Sequence, residues 1–159
     1  MDNDKKLEYA RNVFNTLCGM LDSRGFKYEI SDDDLSVDFI MGGDDIPMQF
    51  IINVDAERQL VRVFSPIPVQ FEGDKKLDGA IAVCQANYLT ADGSFDYDFN
   101  SGRILFRMTS SFIDSLISED LFEYMVAVSS LAVDEYNDKF LMLSKDKITL
   151  EEFFQLTGK

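Results

Sequence analysis

The sequence predicts an α+β fold in which helices pack on one face of an antiparallel sheet. Long segments at the start, middle and end repeat apolar residues every three or four positions, as amphipathic helices do. Shorter segments between them alternate apolar and polar residues, as half-buried strands do. Short turns join these strands, which favours a four-strand meander and a later hairpin over crossover connections. The expected element order is α-ββββ-α-ββ-α.

The first helix and the meander occupy the first 65 residues or so. Apolar residues at helical spacing run from Leu7 to Leu21, and the helix is expected to end near Gly25. Acidic or glycine-containing turns then separate four strands, expected at about 26–30, 35–41, 48–54 and 59–65. Pro66 and Pro68 are expected to end the fourth strand, because proline cannot donate a hydrogen bond to a neighbouring strand.

The second helix and the hairpin follow. Residues 74–90 return to helical spacing, and their apolar stripe is expected to face the core: Leu77, Ala80, Ile81, Cys84 and Tyr88. After it, Phe95, Tyr97 and Phe99 alternate with aspartates, and a second alternating strand begins at Ile104 after the turn Asn100-Ser101-Gly102.

The last part of the chain is helical. Ser118 is expected to cap the third helix, with Glu119 and Asp120 placed favourably in the first turn. A short extra helix is expected at about 149–157, because Thr149 and Glu152 form the capping-box pattern. We find no linker and no internal repeat, so residues 1–159 are expected to form a single domain.

Composition and charge exclude several functions. The chain has 159 residues, of which 46% are hydrophobic, so it is large enough to form a core without disulfides or metals. Fifteen basic against 29 acidic residues give a net charge of −14. Such a chain repels phosphate backbones, so no nucleic-acid partner is expected. The absence of histidine removes the commonest general base and metal ligand.

The sequence predicts a cytoplasmic protein without a membrane partner. Its first residues lack the apolar core of a secretory signal. The apolar stretch Met125–Val133 is far shorter than the ~20 residues that span a bilayer. Cys18 and Cys84 both fall on predicted apolar stripes, so both are expected to be buried, reduced thiols.

No motif specifies a catalytic, metal or cofactor site. The acidic alternation after Asp92 suggests a calcium loop, but Tyr97 and Arg103 stand where an EF-hand requires glycine and glutamate. The segment 144–147 has Ser-x-x-Lys spacing without the companion motifs of serine acylases. No catalytic residue, cofactor or metal is therefore expected.

One feature points to a partner. If Phe39, Phe50 and Phe106 face the helices, alternation turns their neighbours to the opposite face of the sheet. That face then carries five large apolar residues among charged and amide side chains: Ile40, Ile51, Leu60, Phe64 and Leu105. Isolated surface hydrophobics are ordinary, but five on one face suggest a surface for a partner or for a second copy.

A family resemblance rests on residues 77–137. The helix Leu77–Asn87 ends in asparagine, the aromatic hairpin Ser94–Met108 follows, and a helix opens with Ser118-Glu119-Asp120-Leu121. This order resembles the YbjN-like family of bacterial sensory transduction regulators and, more distantly, class I type III secretion chaperones. The resemblance implies a type III secretion chaperone-like fold, a homodimer and no catalytic residue. It also implies a structural role for Asn87, in capping the helix or bonding to the following turn.

Two functions remain open at this point. The preferred one is a non-enzymatic protein-interaction module, a chaperone-like or regulatory adaptor that binds a segment of another protein. The alternative is a small-ligand-binding protein or an enzyme that uses carboxylates in a pocket between helices and sheet. A deep pocket with two carboxyls of mutually perturbed pKa would favour the alternative, and a shallow apolar surface would favour the module.

Overall fold

The computed structural model describes residues 2–158 and has the predicted α+β architecture. The helices are α1 (Asn3–Ser23), α2 (Lys75–Leu89), α3 (Glu119–Ser144) and α4 (Leu150–Thr157). The strands are β1 (Glu29–Ser31), β2 (Ser36–Met41), β3 (Met48–Asp55), β4 (Leu60–Gln70), β5 (Ser94–Asp98) and β6 (Arg103–Ser111). The predicted element order is confirmed, with α4 as the short extra helix.

All six strands form one antiparallel sheet in the order β1-β2-β3-β4-β6-β5. The meander β1–β4 is therefore confirmed, and the hairpin joins it through β6. The registers place Phe39 opposite Phe50 and Phe95 opposite Phe106, all on the face that the helices cover. We call this the covered face, and the opposite one the open face.

The core lies between the covered face and the helices. Phe50, Ile52, Val63 and Phe106 are fully buried there. Beneath α3, the Phe95 ring packs edge-on against three aromatic rings, with centroids 5.1 to 5.5 Å apart: Phe106, Tyr136 and Phe140. The extra helix α4 joins this cluster because Phe153 stacks on Phe140 at 5.6 Å.

The helix ends have the predicted caps. The Ser118 hydroxyl accepts a hydrogen bond from the Leu121 N–H at 3.1 Å. Thr149 and Glu152 exchange the two reciprocal bonds of a capping box. Gly25 follows α1 with a φ of +74°, a left-handed conformation that glycine adopts without strain.

The predicted end of the fourth strand is wrong. β4 continues through Pro66 and Pro68 to Gln70, and Pro66 lies opposite Leu105 on β6. The pairing of β4 with β3 ends at Phe64, so the part of β4 after Phe64 has β6 as its strand partner. The register also shifts between Pro66 and Gln70. Proline is tolerated at such edges and irregularities, because no N–H is required on the unpaired side.

The predicted orientation of α2 is also wrong. Its large apolar stripe faces solvent: Tyr88 is 84% exposed and Leu77 is 59% exposed. Small residues face the sheet instead, with Gly79, Ala82, Val83 and Ala86 buried. At Gly79 the helix approaches so closely that a Cβ atom would lie 2.6 Å from the Tyr97 hydroxyl and 2.7 Å from the Phe71 ring. Only the small side of α2 fits this space.

The two cysteines are consequently not both buried. Cys84 is exposed on the outer side of α2, whereas Cys18 is half-buried on α1. Burial is the largest influence on the Cys18 thiol and raises its pKa. Both cysteines are free thiols.

Candidate protein-interaction surfaces

The open face carries the five apolar residues that were singled out in the sequence. Ile40 is the most exposed of them, at 67%, and the other four are half-buried: Ile51, Leu60, Phe64 and Leu105. Each lies next to a covered-face residue of its own strand, as strand alternation requires. No helix of the chain packs on this side of the sheet among residues 2–158.

The strand registers bring four of these residues together. Ile51 lies directly opposite Phe64, and Leu105 lies opposite Pro66, two residues further along β4. Ile40 lies opposite Gln49, diagonal to Ile51. Diagonal neighbours are within reach of large side chains. We name Ile40, Ile51, Phe64 and Leu105 the open-face cluster. Leu60 is apart from it, because Arg62 stands between Leu60 and Phe64 on β4.

The polar groups around the cluster are paired with one another. Gln49 donates to both carboxylate oxygens of Asp38, at 2.9 and 3.2 Å. Arg107 makes a two-pronged ion pair with Asp96, at 2.6 and 3.1 Å. Groups that satisfy each other in this way leave the apolar cluster between them available for contact with another molecule.

Arg62 joins a further polar group, Asp55 and Asn53, to the cluster. Its guanidinium lies 3.1 Å from the Asp55 carboxylate, donates to the Asn53 amide oxygen at 2.9 Å, and stands 5.7 Å from the centre of the Phe64 ring. Burial disfavours the charged form of Asp55, but hydrogen bonds from Arg58 and the charges of Arg62 and Arg58 outweigh it, so the pKa of Asp55 is lowered.

The cavities beside the open face are shallow recesses at its two sides. One, of 540 Å³, lies between the strand edge at Tyr28 and the exposed Ile40. The other, of 400 Å³, lies between Pro66 and the β5–β6 hairpin and includes Asp98. The pKa of Asp98 is lowered by hydrogen bonds from the Ser101 hydroxyl and the Asn100 N–H. In a catalytic carboxylate pair, each carboxylate shifts the pKa of the other. The pKa shifts of Asp98 and Asp55 do not come from a second carboxylate.

The outer side of α2 forms a second apolar surface. Leu77, Ile81, Cys84 and Tyr88 recur at positions i, i+4, i+7 and i+11 and are all exposed. We name these four residues the α2 stripe. Residues 79–91 contain no charged side chain at all, in a chain with a net charge of −14.

Sequence reasoning missed the α2 stripe because it assigned the larger apolar side of the helix to the core. A signal was nevertheless present. Gly79, Ala82 and Ala86 also recur at helical spacing, and such small residues permit close packing of a helix on a sheet. A helix with two apolar sides can pack on the core with only one of them, and the small residues were the sign of which side that is.

Asn87 has the structural role that the resemblance implied, with a different partner. Its side-chain amide donates to the Phe95 carbonyl at 2.9 Å and accepts from the Phe95 N–H at 2.7 Å. These bonds fasten α2 to strand β5 rather than to the helix end or the turn. Asn87 thereby fixes the helix that carries the α2 stripe.

No helix within residues 2–158 is long and apolar enough to cross a membrane.

A match to a protein-family model over most of the chain identifies the family of this protein. Residues 14–142 match the model of the family YbjN, described as "putative bacterial sensory transduction regulator". The chain belongs to the YbjN family. The predicted family is thus confirmed, and the match includes the whole sheet, α2 and nearly all of α3. No curated protein matches the sequence.

Solved structures confirm the fold of this YbjN family member. The E. coli YbjN structure is 13% identical, with a TM-score of 0.56, covering 79% of this chain and 92% of the other. A chain of the HopA1–SchA chaperone–effector complex is 16% identical, with a TM-score of 0.54, covering 82% and 94%. A chain of the ExsC–ExsE complex is 16% identical, with a TM-score of 0.56, covering 83% and 95%. The type III secretion chaperone-like fold is confirmed.

Proposed function

We propose that this protein is a non-enzymatic interaction module that binds an extended segment of another protein on its open face. One observation carries the proposal: the open-face cluster, with Ile40 exposed and the other three residues half-buried, keeps apolar surface in contact with water on a sheet whose surrounding charges are already paired. Fully burying one exposed large apolar side chain contributes roughly 1.5–3 kcal/mol. Covering Ile40 and the still accessible parts of the three half-buried residues would therefore favour binding.

The fold supports a protein partner. Chains of the same fold occur in a chaperone–effector complex and in the ExsC–ExsE complex. The shallow recesses on both sides of the open face suit side chains of an extended segment better than a small, enclosed ligand. The acidic surroundings would disfavour acidic partners.

The test replaces Ile51 and Leu105 with aspartate, separately and together. Partners are captured with the tagged protein from the native cell and identified by mass spectrometry, and the fold is followed by circular dichroism. We expect the partners found with the wild-type protein to be lost with the fold intact. Thr109→Asp is the matched control, because it adds the same charge at an exposed open-face position outside the cluster. Folded variants that retain every partner would contradict the proposal.

We also propose that two copies of the chain pair through the α2 stripe, rather than through the open face. Two copies of net charge −14 repel each other, so their contact needs an uncharged surface, and residues 79–91 provide one. The four exposed side chains of the stripe would be buried against their symmetry mates in a two-fold arrangement. The open face would then remain free for the bound segment.

Light scattering tests this pairing. The wild-type protein is expected to have twice the chain mass of 18.1 kDa, and Leu77→Glu is expected to reduce it to the chain mass. Leu131→Glu is the control, because Leu131 is an equally apolar and 72% exposed residue that lies on another helix, α3, outside the α2 stripe. A dimer that survives Leu77→Glu would place the pairing elsewhere.

A further inference from the structure

A groove opens between α1, α3 and the end of β2, on the helix side of the molecule. Its volume is 360 Å³. Its walls are apolar, with Met20 from α1, Phe26 from the following loop, Met41 from β2, and Val126 and Ala127 from α3. Methionine side chains are flexible and polarisable, so they adapt to apolar groups of different shape. We name this feature the α1–α3 groove.

The groove runs along α3 from Glu123 to Ser130. We call the Glu123 end, where an ion pair bridges the groove walls, the closed end, and the Ser130 end the open end. At the closed end, Arg24, which directly follows α1, and Glu123 of α3 form an ion pair at 2.6 Å. At the open end, Leu131 follows Ala127 by one turn of α3 and is 72% exposed. A chain segment could therefore enter past Leu131 and place a side chain against the two methionines.

The open end is acidic. The β2–β3 turn is held against α3 there, because the Asp44 N–H donates to the Asp134 carboxylate at 2.9 Å. Gly43 permits this approach, since a Cβ atom would collide with the same carboxylate. None of the ion pairs among residues 2–158 involves Asp44, Asp45 or Asp134. Asp134 lies one turn of α3 beyond Ser130, which lines the groove, and Asp44 contacts Asp134, with Asp45 next to it in the chain. Three carboxylates without an ion-pair partner thus follow the open end of the groove.

We propose that the α1–α3 groove holds a large apolar side chain that basic residues flank in the partner's sequence. The apolar walls would bind the side chain, and the three carboxylates would attract the flanking cations. This inference rests on the proposed function, that the chain binds a segment of another protein. It adds a second contact point on the protein and states the chemistry of the partner residues that bind there. A second copy of this acidic chain is a poor occupant, because its charges would meet like charges at the entrance.

Methyl NMR with a model peptide tests the proposal. The probe is an acetylated peptide of one phenylalanine with four lysines on each side, added to protein labelled at methionine and isoleucine methyl groups. We expect the Met20 and Met41 signals to shift and the core residue Met108 to stay unchanged. Replacing the lysines with glutamate, or the phenylalanine with serine, should weaken binding on the order of tenfold or more.

The isoleucine signals separate this proposal from the proposed function. Shifts at Ile40 and Ile51 without shifts at Met20 and Met41 would overturn the groove and leave the open face supported. No shift at either methionine, or equal binding of the glutamate peptide, would also overturn it.

Two pairs of variants complete the test. Ala127→Trp should fill the groove and weaken the peptide on the order of tenfold, whereas Ala91→Trp, at an exposed alanine after α2, should not. Asp44→Asn with Asp45→Asn should weaken the peptide several-fold. Asp32→Asn with Asp33→Asn removes the same charge at the other end of β2 and should have little effect. Two outcomes would show that the groove is not the binding site. One is an equal loss of peptide affinity in both double variants. The other is an Ala127→Trp variant whose mass changes while its affinity for the peptide does not.

Discussion

The two faces of the sheet are built from the same strands but differ in their surroundings. On the covered face, Phe50 and Phe106 are fully buried beneath helices. On the open face, Phe64 and Leu105 keep contact with water and stand among ion pairs such as Arg107–Asp96. The first arrangement stabilises the fold, whereas the second leaves apolar surface to bind something else. The difference shows that the presence of large apolar residues does not by itself identify which face of a sheet belongs to the core.

The largest expected effect contrasts two adjacent residues of β6. Phe106→Ala should lower the free energy of unfolding by about 3–5 kcal/mol, because it leaves a cavity in the covered-face core. Leu105→Ala should cost about 1 kcal/mol or less, because the side chain is only half-buried. Urea unfolding of both variants measures the contrast. Equal losses would mean that the open face is also part of the core.

A smaller effect is expected where α2 covers the sheet. Gly79→Ala should cost about 1–3 kcal/mol, since the new methyl group meets Phe71 and Tyr97 and overpacks the contact. This cost opposes the roughly 1 kcal/mol that alanine gains over glycine from helix propensity. Cys84→Ala, on the outer side of the same helix, is the control and should be nearly neutral. Thermal unfolding of the two variants compares the sides, and a stabilised Gly79→Ala would contradict the close approach.

The open-face network should give a pH dependence. The pKa of Asp55 is lowered in the folded state, so its contribution to stability is complete above its ordinary pKa of 3.8 and is lost as the pH falls through the folded value. Asp55→Asn should lower the free energy of unfolding by about 1 kcal/mol at neutral pH. It should also make the free energy of unfolding decrease less steeply as the pH falls. Urea unfolding between neutral pH and pH values below 3.8 tests this. Parallel curves for the two proteins would show that Asp55 does not cause the dependence.

The smallest effect is expected for the exposed pair Arg107–Asp96. Both side chains are more than 40% exposed, so a double-mutant cycle with alanine should give a coupling of about 0.2–1 kcal/mol. The coupling should shrink as salt is added, because salt screens exposed charges. A coupling of several kcal/mol that salt does not change would mean that this pair is desolvated, and the contrast between the faces would lose its basis.

Much of the fold could be predicted from the sequence, since local patterns specify it. Alternation placed Phe39, Phe50 and Phe106 on one face, and the capping residues Ser118 and Thr149 marked helix starts. The end of β4 could not be predicted in this way. Pro66 and Pro68 ordinarily stop a strand, and they are tolerated here because β4 passes beyond its paired stretch with β3 into a register shift with β6.

The candidate surfaces were predicted less completely. The five open-face residues follow from alternation, but their grouping depends on the registers between strands, which bring Ile51 to Phe64 and leave Leu60 behind Arg62. The acidic entrance of the α1–α3 groove depends on a contact between residues 90 positions apart, Asp44 and Asp134. Such contacts leave no local periodicity in the sequence.

The sequence by itself therefore determined the order of the elements, the buried side of strands β2 to β6 and the acidic character of the chain, because these follow from neighbouring residues. Only the tertiary structure decided which side of α2 faces solvent. Both sides of that helix are apolar, so periodicity cannot choose between them. The choice is steric: at Gly79, Phe71 and Tyr97 leave no room for a larger side chain, so the side of α2 with the small residues faces the sheet and Leu77 and Tyr88 face outward.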